Sequence, residues 1–388
     1  MNQQNMLRCT IMRGGTSKAI FFKKSDLPVD PALRAKVILA AFGSPDMRQI
    51  DGLGGAWEGY SKVAIIGPPT RDDADIDYTF GQVQINKPFI DWSFNCGNIS
   101  SAVGPYAIAE GMIGAVEPLT TIRIHLTNSN QVISAEVPVK EGLASIEGDY
   151  EIAGVPGSGA RIDIDNCKLA GSSTGKLLPS GNVIDELIVD GLGKIPVSIV
   201  DIANPFVFVH AKDVRAKGTE SRPAIMGNQE LLNRLVAVRC AAAEFLGFVK
   251  DRKDATEASP SRPCLAFIHE PVDYVDYATN EPIRAKDLDF IARNIHNNKA
   301  HETFMSSGSI CTAVAAMIEG TVVNKVASNK AKETGIVRFG HPRGIVEIIV
   351  EINKTGSGFE VKKAVIGRTA RRILDGYVYI NKSIFEKT

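Results

Sequence analysis

No excess of either charge sign marks this chain. Its 44 Lys and Arg are matched by 44 Asp and Glu. With neither a basic run nor a large positive field, a nucleic acid or an anionic membrane surface is not an expected partner. An anionic small molecule needs only a few local charges and stays compatible. Long apolar runs are missing too: no stretch approaches the roughly 20 apolar residues that a membrane helix requires. Residues 1–10 are polar before the pattern turns strand-like, so no apolar signal segment is expected. A soluble, cytoplasmic protein is the expectation. The six cysteines, Cys9, Cys96, Cys167, Cys240, Cys264 and Cys311, form no CxxC pair. That argues against a zinc site or a disulfide framework and for reduced thiols.

What is present is β-rich. At 388 residues the chain exceeds one ordinary core, so two domains or one duplicated fold is expected. Alternating and β-branched stretches predict strands at 7–12, 19–22, 63–66, 76–85, 121–126, 132–139, 197–202, 207–210, 264–268, 336–339, 345–352, 361–366 and 377–380. Helical spacing is sparser and predicts helices at 31–42, 100–110, 230–245, 288–294 and 310–319. Two of these begin alike. Cys96-Gly97-Asn98 and Ser307-Gly308-Ser309 each set a thiol or hydroxyl before Gly and a short polar residue, ahead of an Ala-rich helix, one in each half of the chain. The shared pattern is a short hint of duplication. The run 171–176 (GSSTGK) superficially resembles a phosphate loop, but Leu177 stands where Ser or Thr is needed, so a loop and not a nucleotide site is predicted.

The segment Asn95-Cys96-Gly97-Asn98 is the strongest candidate for chemistry. A thiol at a helix start lies where unpaired backbone N–H groups and the positive end of the helix dipole favour an anion, either a thiolate or a bound carboxylate. Gly97 admits a ligand close to the backbone, and Asn98 can bind or orient through its amide. A buried structural cysteine at a helix cap is the other reading of the tetrapeptide. The turn around Thr16 and Ser17 offers two hydroxyls and backbone donors to a carboxylate, or is a plain hairpin. Lys62 ends a glycine-rich loop at the entry to an apolar strand, where burial could tune an amine towards general-base work; most lysines merely reach solvent. In the second half, His341 and Arg343 share a turn, and the guanidinium fork suits a carboxylate or simply faces solvent. Arg368, Arg371 and Arg372 read either as substrate ligands or as ion pairs between domains.

Taken in order, residues 12–18 (MRGGTSK), 50–56 (IDGLGGA), Ser61-Lys62, 95–98 (NCGN), Val103-Gly104-Pro105, 179–182 (PSGN), Gly340-His341-Pro342 and 368–372 (RTARR) resemble the PrpF-like isomerases. This family includes 2-methylaconitate isomerase, 3-methylitaconate Δ-isomerase and 4-oxalomesaconate tautomerase. Residues 197–213 and 77–85 look most like the 3-methylitaconate branch. The resemblance implies an α+β, diaminopimelate-epimerase-like fold: two pseudo-symmetric domains, each a curled sheet or barrel around a central helix, with the active site in the cleft between them. It implies an N-terminal domain of residues 1–183 plus 374–388 and a C-terminal domain of 184–373.

The resemblance also implies catalytic roles for Lys62 and Cys96 and substrate contacts from Thr16, Ser17, Gly97, Asn98, Ser307, Gly308, Ser309, His341 and Arg343. No cofactor and no metal are implied. The expected partner is a small unsaturated di- or tricarboxylate, and association into a homo-oligomer is compatible with it. Ser307 stands where epimerases of this fold carry a second cysteine, which argues against two-thiol epimerisation. The expected activity is a C=C shift by proton abstraction and return. The alternatives are 2-methylaconitate cis-trans isomerisation, oxalomesaconate tautomerisation, or a non-catalytic carboxylate-binding homologue.

Overall fold

The computed structural model describes residues 3–93, 95–356 and 358–386. Two compact units emerge, one up to Ile164 and again from Gly367 onward, the other Asp165–Ile366. This division falls elsewhere than the expected boundaries at 183/184 and 373/374. Residues 171–174 go with the second unit because they close on its buried Asp201: the Ser173 and Thr174 backbone N–H groups donate to Oδ2 at 2.8 and 2.7 Å, and the Thr174 hydroxyl at 2.8 Å. The run that resembles a phosphate loop thus already holds an anion of its own chain. Residues 370–373 return to the first unit, where Ala370 and Arg371 pair with Gly14 and Arg13.

In the first unit, β1 (Gln4–Gly14) and β2 (Ser17–Lys23) form an antiparallel hairpin. Helix α1 (Pro31–Phe42) then leads to β3 (Lys62–Gly67), which pairs parallel with β2. Strand β4 (Ile76–Val83) runs antiparallel to β3, and helix α2 (Gly97–Ala109) leads to β5 (Leu119–Leu126), parallel to β4. Strand β6 (Gln131–Lys140) follows antiparallel, and the C-terminal strand Ala370–Asn381 pairs on the far side of β1. Parallel neighbours need a crossover, and α1 and α2 supply the two. Helix α1 starts where Asp30 accepts the Leu33 N–H at 2.8 Å, with Pro31 at its first position, and stops at Gly43 with φ 71°.

The side-chain alternation of a strand sorts the two helices onto opposite faces. Ile20, Phe22, Val63 and Ile65 cluster with Val37, Ile38, Ala41 and Phe42 of α1. Burying a side chain such as Phe22 stabilises the fold by about 1.5–3 kcal/mol. Phe21 turns the other way, its ring centroid 5.1 Å from that of Tyr106 on α2. Helix α2 is buried nearly all round, from Ile99 to Ile108, as expected of a helix enclosed by sheet. Its end is held by charge. Glu110 accepts ion pairs from Arg8 and Lys23, each at 2.9 Å, and from Arg372 at 2.7 Å, with its side chain 4% exposed.

Burial alone would raise the Glu110 carboxyl, but the hydrogen bonds from Lys23 and Arg372, with the charges of Lys23 and Arg8, leave it below its ordinary 4.5. Between that lowered value and 4.5 the unfolded chain binds more protons, so stability rises with pH across this window. It is complete above 4.5 and is lost as pH falls through the folded value. Glu110→Gln leaves three cations without their shared counter-ion. It should lower stability by about 3 kcal/mol and flatten the acid limb of a pH–stability profile, which denaturant titration measures.

The second unit repeats the connectivity. Strands β7 (Asp185–Val189), β8 (Gly193–Ile202) and β9 (Asn204–His210) pair antiparallel in turn. Helix α3 (Gln229–Phe245) leads to β10 (Cys264–His269), parallel to β9, and β11 (Phe290–His296) pairs antiparallel with β10. Helix α4 (Ser306–Met317) leads to β12 (Ile336–His341), parallel to β11, and β13 (Gly344–Thr355) and β14 (Gly358–Arg368) complete the ladder. Each unit therefore carries three successively paired strands, a helix, two strands, a helix and further strands. The expected helix at 288–294 is instead β11. Phe290–Ile295 are buried throughout and lie between two strands, so an apolar run whose spacing suits either state takes the extended one. Among the described residues no helix is long and apolar enough to cross a membrane.

Candidate active site

Strand register fixes the geometry of the first unit's candidate residues. Lys62 faces Gln82, Ala64 faces both Phe21 and Phe80, and Ile66 faces Tyr78. Directly opposed residues share a face, so Lys62, Gln82, Phe80 and Tyr78 all lie on the side of the sheet that Phe21 presents to α2. Lys62 is 8% exposed; its Nζ donates to Gln82 Oε1 at 2.6 Å and lies 5.3 Å from the Phe80 ring centroid. The Gln82 amide cannot turn away, because its Nε2 donates to the carbonyls of Glu58 at 3.0 Å and Ser61 at 2.8 Å. Among the described residues no carboxylate forms an ion pair with Lys62. A neutral oxygen aims the amine.

The loop that delivers Lys62 is built around Gln49. This residue is 1% exposed; its Nε2 donates to Ser61 Oγ at 2.8 Å and Ser44 Oγ at 3.0 Å, and its Oε1 accepts the Ala56 N–H at 2.8 Å. A Cβ on Gly54 would lie 2.2 Å from Gln49 Cδ, so glycine is required by close approach. Trp57 and Tyr60 pack edge to face at 4.9 Å, with Lys18 Nζ 5.1 Å from the Tyr60 ring centroid.

Cys96 is the N-cap of α2 and is half-buried, its carbonyl accepting both the Ser100 N–H at 3.0 Å and the Ser100 hydroxyl at 3.1 Å. Its side chain caps nothing, which leaves the thiol beside the open N–H groups that begin at Gly97. Tyr78, absent from the sequence-based candidates, is fully buried, and among the described residues its hydroxyl has no partner. Burial, with Cys96 adding to it, pushes this phenol well above its ordinary range. Tyr78→Phe removes an unsatisfied buried hydroxyl. It should leave thermal stability unchanged or raise it by about 1 kcal/mol, and a large loss in a melting experiment would contradict this.

The β1–β2 turn packs directly on α2. A Cβ at Gly14 would meet the Asn98 carbonyl oxygen at 2.5 Å, and one at Gly15, where φ is +51°, would meet Asn98 Oδ1 at 2.2 Å. Asn98 Nδ2 donates to Thr16 Oγ1 at 3.0 Å, and Ser17 is buried beside it in the hairpin. Arg368 belongs to this same unit, where its Nε donates to Asn98 Oδ1 at 3.3 Å, and Arg372 pairs with Glu110 and Asp375. These bonds of the two arginines lie inside one unit. Thr16, Ser17, Lys62, Cys96, Gly97 and Asn98 gather in the first unit.

The remaining candidates belong to the second unit. At the start of α4, Ser307 Oγ accepts from Asn204 Nδ2 at 2.7 Å and Ser309 Oγ donates to the Met305 carbonyl at 3.0 Å. Gly308 is required because a Cβ there would lie 2.6 Å from Phe206 Cζ. Cys311 is fully buried, its thiol on the Val200 carbonyl at 3.3 Å and pushed well up by burial. His341 is 4% exposed, its Nδ1 accepting the Arg343 N–H at 3.2 Å and its carbonyl accepting the Tyr274 hydroxyl at 2.8 Å. Arg343 is committed to carboxylates of its own unit, Asp276 at 2.8 Å and Glu302 at 3.7 Å, and its guanidinium lies 5.6 Å from the Tyr277 ring centroid. Among the described residues no group of three or more His, Cys, Asp or Glu side chains could hold a metal ion.

This sheet-dominated α+β architecture has neighbours among solved structures. A hydroxyproline epimerase from Agrobacterium vitis is similar in fold alone, with a TM-score of 0.54 at 9% identity over 98% of this chain and 93% of that one. The particular family is narrower: the chain belongs to the family described as PrpF protein, which matches residues 4–381. It is 49% identical to a 3-methylitaconate isomerase of Eubacterium barkeri over 99% of both chains. It is 34% identical to a 2-methyl-aconitate isomerase of Shewanella oneidensis over 98% of both. The crystal structure of a methylitaconate-delta-isomerase superposes with a TM-score of 0.90 at 47% identity, covering 100% of this chain and 98% of that one.

Proposed function

We propose that the protein is a cofactor-independent isomerase that moves a C=C bond in a small unsaturated di- or tricarboxylate of the 3-methylitaconate type. One of Lys62 and Cys96 removes a proton from the allylic carbon next to a carboxylate. The electron pair left on that carbon delocalises directly onto its carboxylate and, through the double bond, to the far end of the allyl system, where the other group returns a proton. Atoms and charge balance without an external reactant. The dienolate is the species to stabilise, and each N–H donor aimed at it from the start of α2 is worth on the order of 3 kcal/mol. The observation that carries the reading is the buried Lys62 amine, held by the fixed Gln82 amide on the sheet face that α2 covers, where Cys96 caps the helix.

The 49% identity to a named 3-methylitaconate isomerase supports that acid as substrate. The finer fold description also belongs to this proposal: two pseudo-symmetric domains, each a curled sheet around one central helix, α2 and α4. The repeated connectivity supports it. The six cysteines are free thiols, consistent with work in the cytoplasm. The test is a side-by-side NMR assay in deuterium oxide with 3-methylitaconate, 2-methylaconitate and 4-oxalomesaconate. The reading predicts conversion with label incorporation, fastest for the first. Binding of the acids without exchange would overturn it in favour of a binding protein.

A further inference from the structure

Arg368, Asn98 and Thr16 are far apart in sequence and form one directed chain. Arg368 Nε donates to Asn98 Oδ1 at 3.3 Å, and Asn98 Nδ2 donates to Thr16 Oγ1 at 3.0 Å. Arg368 is itself held: it is 6% exposed and its Nη1 donates to the Gly367 carbonyl at 2.9 Å. The turn that carries Thr16 is tied to the same stretch, because Thr369 O accepts the Gly15 N–H and Arg13 Nη1, each at 3.0 Å. Glycine at position 15 leaves room for the assembly, since a Cβ there would lie 2.2 Å from Asn98 Oδ1 and 3.2 Å from Arg368 Cδ.

An asparagine amide has no preferred direction of its own, since one end only accepts and the other only donates. A guanidinium has no acceptor, so the end that faces Arg368 must be Oδ1. That leaves Nδ2 for Thr16. Once Thr16 Oγ1 accepts this bond, its own hydrogen points elsewhere, and among the described residues the hydroxyl makes no other hydrogen bond. Were the amide reversed, Thr16 would spend its hydrogen on Oδ1 and show only lone pairs to an incoming anion. Burial lowers the Arg368 guanidinium to about 10, so it remains a donor at neutral pH.

We infer that Arg368 is a positioning residue which, by fixing the Asn98 amide, makes the Thr16 hydroxyl a donor to a substrate carboxylate. The inference rests on the proposed reading of a carboxylate substrate and deepens it. Three variants test it: Thr16→Val, which removes the donor; Arg368→Lys, which keeps the charge but loses the fixed Nε; and Asn98→Asp. The last keeps a buried ion pair with Arg368 and offers Thr16 only acceptors, so it folds but reverses the hydroxyl.

The readouts are KM and kcat for 3-methylitaconate and, by calorimetry, the Kd of methylsuccinate, a saturated dicarboxylate that cannot react. Each variant should raise KM and Kd by about tenfold or more, in the range of one charge-assisted hydrogen bond, with a smaller change in kcat. In the Thr16→Val background, Arg368→Lys should add less than about threefold, because the group it acts through is gone. Equal effects of Arg368→Lys in both backgrounds, or an unchanged Kd in Asn98→Asp, would overturn the inference. Absence of turnover by the wild-type protein would sink the proposed reaction, while the calorimetric cycle would still decide the role of Arg368.

Discussion

Lys62→Ala should lower both turnover of 3-methylitaconate and deuterium incorporation into its product by about 10²–10⁴-fold, the range of a positioned acid or base. The loss should be chemical and not structural. Removing the amine strands Gln82 Oε1, the acceptor at 2.6 Å, and an orphaned buried acceptor costs about 1–3 kcal/mol. That is less than the roughly 5–15 kcal/mol that holds a folded protein. The amide itself stays anchored by its two bonds to the Glu58 and Ser61 carbonyls. The variant should therefore melt cooperatively and still bind a dicarboxylate. Wild-type exchange in this protein would remove the amine from the reaction.

Cys96→Ala should lose turnover over a similar range, about 10²–10⁴-fold, and be nearly neutral for stability. The cysteine caps α2 through its backbone carbonyl and not through its side chain, so alanine keeps every bond that starts the helix. The label also apportions the two steps. Deuterium in the starting acid recovered from Cys96→Ala would assign proton removal to Lys62, whereas unlabelled acid would assign it to the thiol. Unimpaired conversion would exclude Cys96 from the chemistry altogether.

Much of the scaffold is legible in the residues themselves. Asp30, Pro31 and Gly43 bracket α1 with a cap, a permitted proline and a left-handed stop. The short β-branched apolar run after Lys62 suits a strand buried on both faces, as it is. Residues 288–294 mislead because a short apolar segment with mixed charges fits a helical stripe as well as a central strand, and only its neighbours on both sides decide. Strand β7 escapes notice because Asp185 and Glu186 interrupt its alternation, although Leu187 and Val189 are buried.

The site divides in the same way. Thiol, amine and glycine-started helix are visible as residue types at a helix or strand entry. The neutral amides that aim them are not. Gln82 matters because it lies opposite Lys62 in register, Gln49 because three glycine-loop groups converge on it, and Asn204 because a strand start meets a helix start. None of these juxtapositions has a local signature. Arg343 shows the converse: the residue type points to a carboxylate, and what the sequence hides is that Asp276 and Glu302 of the same unit already lie beside it.

The central claim is that one small acid meets both Lys62 and Cys96. A crystal structure of the protein with bound methylsuccinate tests this most directly. The account predicts that Lys62 Nζ and Cys96 Sγ each lie within about 3.5 Å, the reach of a reacting atom, of carbons of that one ligand. A ligand touching only one of them, or bound elsewhere, would contradict it.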